Sequence, residues 1–290
     1  MTQERGQGFL LELPAVRNDL PFSPSLLPRL FSLTGDEAAS PVTAIASAIA
    51  EDQGLSTRLL AMANSAFYGL QSQVATVSRA VAVLGLREVR GLVLMLGMRG
   101  LAGARALPPG FALAPYLEHQ AAVAVAAMAL ARETRAMDPD DAFTAGVLHD
   151  LGKLLTALYR PGDWQAQAAL AAAGLPWHDA EERHWGLDHG LIGAIVLRSW
   201  NLPETLTEPV NWHHSPDASP GPRQPAGLIG LADACARELT GSPLPGVEPE
   251  AALAASGLPL SAGTARDIVE TALAARDPGH FVSALCAGAA

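Results

Sequence analysis

Three polar side chains interrupt the otherwise apolar string AFTAGVLHDLGKLL, residues 142–155: His149, Asp150 and Lys153. Adjacent imidazole and carboxylate groups suit a divalent ion, the histidine through a ring nitrogen and the aspartate through an oxygen able to bridge two ions. The competing reading is structural, with the pair capping or hydrogen-bonding neighbouring helices. Lys153 is the single lysine beside 18 arginines. Either an arginine-biased composition has left one survivor, or the site needs a compact ammonium near Asp150 or a bound phosphate, a role that a planar guanidinium fills poorly. His119, His189, His213, His214 and Asp233 each fall on a separate expected helix or at a helix end. Taken singly, each reads as an ordinary satisfied or solvated side chain. Taken with His149 they include five of the eight histidines, and a helical bundle can converge such groups on its core. His178, His184 and His280 lie near expected loops or among the charged Glu181, Glu182 and Arg183, and are less committed.

A set of this kind would hold one or two divalent ions, and histidine with carboxylate suits iron, manganese, zinc or nickel to overlapping degrees. The ion's role is open. It would either tie together the helices that carry its ligands and add binding free energy to the fold, or act in catalysis. In the catalytic case Asp150 would bridge a dinuclear pair that activates water and clamps a phosphate, with Lys153 offsetting charge on the leaving oxygen. Phosphate recognition usually recruits several cationic donors, and the His149 helix supplies Lys153 alone.

The elements that must position these residues read as all-α. The chain has 290 residues, 49% apolar, 17% charged and 5% aromatic, enough to bury a sizeable core. Alanine and leucine dominate, and apolar residues recur at three and four rather than two. Helices are expected over about 41–52, 57–67, 78–84, 86–98, 116–136, 140–159, 163–173, 188–200, 204–213, 225–239 and 262–275. The 116–136 helix is apolar nearly all round, as befits the centre of a bundle. Gly103, Pro108, Pro109, Gly110 and Pro115 mark a connection between two subdomains. No segment approaches the roughly 20 apolar residues of a membrane span, and the amino terminus, a short arm, lacks a secretion-signal core. Cys235 and Cys286 cannot build a disulfide framework, which suits the cytoplasm. The formal charge of −10 argues against duplex nucleic acid and anionic membrane as partners.

Longer blocks carry a family resemblance. DQGLSTRLLAMANSAFYG, VSRAVAVLGLREVRGLV, AFTAGVLHDLGKL, WGLDHGLIGAIVLRSWNLPE and VNWHHSP resemble the HDOD family, bacterial signalling proteins related to HD-superfamily phosphohydrolases. The resemblance implies an arm at 1–19, an HDOD module over 20–235, and a helical extension over 236–290. Within the module it implies an amino-terminal lobe (about 20–105) and an HD-like bundle lobe (about 116–235). Carried over residue by residue, the HD metal-ligand pattern falls on His119, His149, Asp150, His189, His213, His214 and Asp233, with Lys153 beside them. Two departures from the HD-GYP phosphodiesterases stand out: SPDASPGP follows the double histidine in place of a GYP-bearing loop, and Pro115 stands where some of those enzymes have a glutamate ligand.

These readings converge on a signalling adaptor that binds an unidentified partner protein, non-catalytic, with a divalent metal in the HD-like lobe. The alternative is a metal-dependent phosphohydrolase of a nucleotide or other phosphate ester, in which Asp150 and Lys153 would be catalytic. In the amino lobe, Asn64, Ser65, Phe67 and Tyr68 read as a helix-to-loop corner fixed by side-chain hydrogen bonds, or else as a partner surface.

Overall fold

Short polar side chains open several of the helices by accepting an orphan backbone N–H of the first turn. Asp52 accepts from Leu55, Thr76 from Arg79, Asp138 from Asp140 and Asp141, Asp188 from Leu191, and Ser261 from Thr264. The computed structural model describes residues 2–20, 25–34, 42–64, 73–242, 247–276, 278–279 and 282. All regular elements among them are helical. In chain order they are α1 (Thr2–Glu12), α2 (Leu26–Thr34), α3 (Val42–Ala50), α4 (Gln53–Ala63), α5 (Val77–Leu84), α6 (Leu86–Ala104), α7 (Leu113–Thr134) and α8 (Pro139–Leu148). They continue as α9 (Leu151–Tyr159), α10 (Pro161–Ala172), α11 (Trp177–Trp185), α12 (His189–Ser199), α13 (Glu204–Trp212), α14 (Arg223–Leu239), α15 (Pro249–Ser256) and α16 (Ala262–Ala275).

Helices α2–α5 pack on one another and on α6, burying Leu27, Leu30, Ile45, Ile49, Leu59 and Val81. The other face of α6 meets α7, α8 and α9, so this one helix joins the amino lobe to the bundle. In the bundle α7 is central, packed against α8, α14 and α16, while α12 meets α9 and α13. Its buried alanines from Ala121 to Ala131 let those neighbours come close, as the all-round apolar pattern anticipates.

Two expected features differ. Residues 140–159 were expected as one helix; the chain instead breaks between α8 and α9, at His149 and Asp150. Residues 2–19, expected as an arm, form α1 and a 3-10 turn (Leu13–Asp19) packed on α11 and α12. The reason is apolar: Phe9, Leu13 and Val16 are buried, and the Phe9 ring stacks on Trp185 at 5.5 Å. Three further helices, α2, α11 and α15, form where loops or no element were expected. The amino-lobe corner at Asn64 is a hydrogen-bonded one: its amide donates to Leu60 O and Val74 O, and its oxygen accepts from Val74 N, at 2.7–2.8 Å. Ser65, Phe67 and Tyr68 lie outside the described residues.

Candidate metal centre

The break between α8 and α9 is what turns the HD pair inward. His149 closes α8 and donates from Nδ1 to the Gly146 carbonyl, 2.8 Å away. His213, just past α13, does the same to Val210 O at 2.7 Å. In both rings Nδ1 thereby carries a proton, so that in a neutral ring Nε2 is the lone pair. Both Nε2 atoms are buried with no hydrogen-bond partner among the described residues. His189, at the start of α12, is held by Glu181 of α11, whose Oε2 accepts from its Nδ1 at 2.6 Å and from its backbone N–H at 2.9 Å. A carboxylate behind a histidine in this way is the usual outer support of a metal ligand.

Close backbone approaches bring these helices together. A Cβ at Gly152 of α9 would lie 2.1 Å from the His189 carbonyl oxygen, and one at Gly230 of α14 would lie 2.3 Å from that of His213. Only glycine permits helices to meet there without displacement.

The seven candidate residues converge. His119 Nε2 of α7 lies 2.9 Å from Asp233 Oδ1 of α14, and His149 Nε2 lies 3.7 Å from that oxygen, forming one trio. His189, His213 and His214 form a second. Asp150 stands between them, its Oδ1 3.0 Å from His189 Nε2 and 3.5 Å from His149 Nε2, its Oδ2 3.8 Å from His119 Nε2. Lys153 is one turn on from Asp150 and reaches its carboxylate at 2.8 Å. The donor set of imidazoles and carboxylates, with buried inward-facing nitrogens left unpaired, fits a divalent ion in either trio.

Two residues that the sequence reading left aside belong to the centre. Glu181 is fully buried and also accepts from the Trp177 indole N–H at 2.8 Å. Arg237, one turn after Asp233 on α14, sets Nε 2.7 Å from Asp233 Oδ1 and Nη2 3.2 Å from Asp150 Oδ2. The i, i+4 spacing to Asp233 was the available signal. His178 stacks on His214 at 4.4 Å, while His184 bonds Asp163 away from the centre. His280 lies outside the described residues.

Burial would raise the carboxyls of Asp150 and Asp233, yet both lie well below the usual carboxylate range. Lys153, His149 and His189 outweigh burial at Asp150, and Arg237 and His119 do so at Asp233. Burial, reinforced by Arg237, pushes His119 down to about 4. Burial and the neighbouring imidazoles hold His213 and His214 well below their ordinary value. At His189 burial is overcome by the Glu181 carboxylate, and the ring is raised to about 9.

Beside the centre opens a cavity of about 550 Å³, reaching His119, Asp150, Lys153 and Arg237 at one end and walled by Phe111, Tyr116, Trp164 and Trp177. The Tyr116 hydroxyl donates to the Asp150 carbonyl at 3.3 Å.

Among known proteins, the chain is 29% identical over 185 residues to an uncharacterised protein of Treponema pallidum. That match takes in 62% of this chain and 35% of the relative, so the chain spans about a third of that relative's length. A crystal structure of a candidate phosphohydrolase from Shewanella amazonensis superposes with a TM-score of 0.71 at 25% identity, covering 94% of this chain and 97% of that one. A candidate signal-transduction protein from Marinobacter aquaeolei superposes at 0.75 with 20% identity, over 93% of this chain and 61% of that one, a likeness of fold. The HDOD domain family matches residues 20–216, which stops short of Asp233 and Arg237 but takes in both lobes and the other six candidate ligands. The chain belongs to the HDOD domain family.

Proposed function

We propose that this protein is a bacterial signal-transduction adaptor whose HDOD module acts through contact with a partner protein, and whose HD-like lobe carries a structural, non-hydrolytic metal centre. The observation that carries this reading is the state of the two carboxylates. Asp150 is held by Lys153 and Arg237, and Asp233 by Arg237, all at 2.7–3.2 Å. Acids already neutralised from within the chain are poor seats for the pair of ions that phosphate hydrolysis uses. The candidates from which its ligands would be drawn are His119, His149, Asp150, His189, His213, His214 and Asp233, on α7, the α8–α9 junction, α12, the end of α13 and α14. An ion there would cross-link the bundle, in keeping with ligands so nearly inaccessible: His149 and His189 are 0% exposed. In this reading the module runs over residues 20–235, past the end of the family match at residue 216. No helix among the described residues is long and apolar enough to cross a membrane, and a cytoplasmic setting is part of the proposal, as is the exclusion of nucleic acid on the charge of −10.

A second reading, metal-dependent phosphohydrolase, is favoured by the 550 Å³ cavity, whose lining includes His119, Asp150 and Lys153. It is also the activity in the name of the Shewanella structure. A divalent ion held by these ligands would supply Lewis acidity and a bound water of lowered pKa. The chain itself would contribute Lys153 and Arg237 as cationic contacts for a phosphoryl group and the aromatic wall as a seat for its organic portion.

The deciding experiment is turnover of a panel of nucleotides and simple phosphate monoesters by protein loaded with iron, manganese, zinc or nickel, beside Asp150→Ala with its helicity checked by circular dichroism. The adaptor reading expects no turnover above background with any metal. Turnover abolished in a folded Asp150→Ala variant would establish the hydrolase instead.

A further inference from the structure

The two trios of potential ligands are not equivalent. Around His119, His149 and Asp233, the oxygen that faces both imidazoles is Asp233 Oδ1, and the Arg237 Nε sits 2.7 Å from that same atom. The nearest Asp150 oxygen to His119 is Oδ2, which Arg237 Nη2 approaches at 3.2 Å. Supporting contacts to a metal-bound carboxylate can go to the oxygen turned away from the ion; here the guanidinium hydrogen-bonds Asp150 Oδ2 and lies in ion-pair contact with Asp233 Oδ1, the oxygens turned toward His119. Around His189, His213 and His214 no carboxylate is needed, because three imidazoles make a complete protein donor set for a metal with an open position. The Nε2 atoms of His189 and His214 meet at 2.8 Å, so without an ion one must carry a proton toward the other. His213 Nε2 is buried beside them without a hydrogen bond, as are His119 Nε2, His149 Nε2 and Asp233 Oδ1 in the other trio, so it is the guanidinium that sets the two trios apart.

Charge points the same way. Asp150, Asp233 and Glu181, set against Lys153 and Arg237, leave the centre with one net negative charge when the imidazoles are neutral. One divalent ion converts this to one positive charge, and two convert it to three. Buried charge without a partner is strongly disfavoured.

From this arrangement, and resting on the metal-centre reading above, we propose that the protein takes one divalent ion, on His189, His213 and His214, and that the Arg237 guanidinium stands in for a second ion between Asp233, Asp150 and His119. Arg237 thereby makes the centre mononuclear from within the chain. Its removal is the change that would open the second position.

The test is metal stoichiometry by elemental analysis after loading the full chain with Zn²⁺ or Co²⁺ and desalting, with helicity measured on every variant. Wild type is expected to hold one equivalent, Arg237→Met two, His119→Ala one, and His213→Ala none. Two equivalents in the wild type, or one equivalent that is kept in His213→Ala and lost in His119→Ala, would overturn the assignment. Should Arg237→Met fail to fold, the histidine pair in the wild-type background still decides which trio binds. A wild type that binds no ion overturns this inference and the metal centre together, whereas the non-catalytic role is judged separately by turnover.

Discussion

Glu181 shows how a residue's neighbours in sequence can hide its role. In WHDAEERHW it reads as one of several surface charges, yet it is fully buried, and its partners are the Trp177 indole four residues earlier and the His189 ring eight residues later. The first contact follows helical spacing; the second depends on how α11 meets α12, which no local pattern encodes. Arg237 was obscured by composition, being one of 18 arginines. By contrast the histidines and aspartates were legible because polar groups recur on apolar helices, where burial without a partner is costly. Glu181→Gln removes the charge behind His189 while keeping its shape, and is expected to weaken metal binding by about 10–100-fold, measured by competition with a chelating dye.

The same residues set the pH response of the metal-free protein. His119, down to about 4, and His213 and His214, also lowered, resist protonation when folded, so below their ordinary value of 6.5 the unfolded chain binds more protons and stability falls with falling pH. His189, raised to about 9, acts oppositely: its contribution is complete below 6.5 and is lost as pH rises toward 9. Melting temperature after chelation is therefore expected to peak near pH 6.5. In Glu181→Gln the alkaline decline should vanish while the acid one remains; an unchanged alkaline limb would show that His189 is not its source.

Among the elements, the helices with long apolar periodicity lie close to expectation, and α16 spans the expected residues 262–275. The interrupted helix at His149 and Asp150 does not, because GVLHDLGKLL carries no proline to announce a break. The interruption is a tertiary effect: Gly146 faces the α7 backbone around Ala124, Gly152 faces the His189 carbonyl, and the chain between them bends to meet both. Helix α11, with its charged sequence, was missed for the opposite reason, since its buried side is carried by Trp185, Ala180 and Glu181 rather than by an apolar stripe. Gly152→Ala must push α9 and α12 apart, since the new carbon would meet backbone and not a flexible side chain. It is expected to cost about 1–3 kcal/mol, as overpacking does, read from the urea midpoint, and to release bound metal with helicity unchanged. Gly162→Ala, where no atom lies within 4 Å of the new carbon, is the matched control.

At the scale of the molecule, two lobes share α6, and the segments beyond the family match close the bundle. α15 packs on α14 and α16 packs on both α7 and α14, and Leu258, Val269 and Val282 in this part of the chain are buried. Arg276, just after α16, pairs with the nearly buried Glu88 of α6, so the carboxy-terminal segment reaches back to the helix that joins the lobes. The sequence reading recognised α16 but not what it covers, because a weakly amphipathic 14-residue helix does not reveal which partner it seeks. Deleting everything after residue 242 would uncover α7 and α14, which carry His119, Asp233 and Arg237, but not α12 and the end of α13, which carry the three-histidine trio. The buried side chains of Leu258, Val269 and Val282, at about 1.5–3 kcal/mol each, are lost, so the melting temperature should drop clearly. The shortened chain, where still folded, is nevertheless expected to keep one equivalent of metal, because its ligands sit on the elements that the deletion leaves covered. An unchanged melting temperature would show that the extension does not support the bundle, and loss of the ion from a folded truncation would place its ligands on α7 and α14 instead.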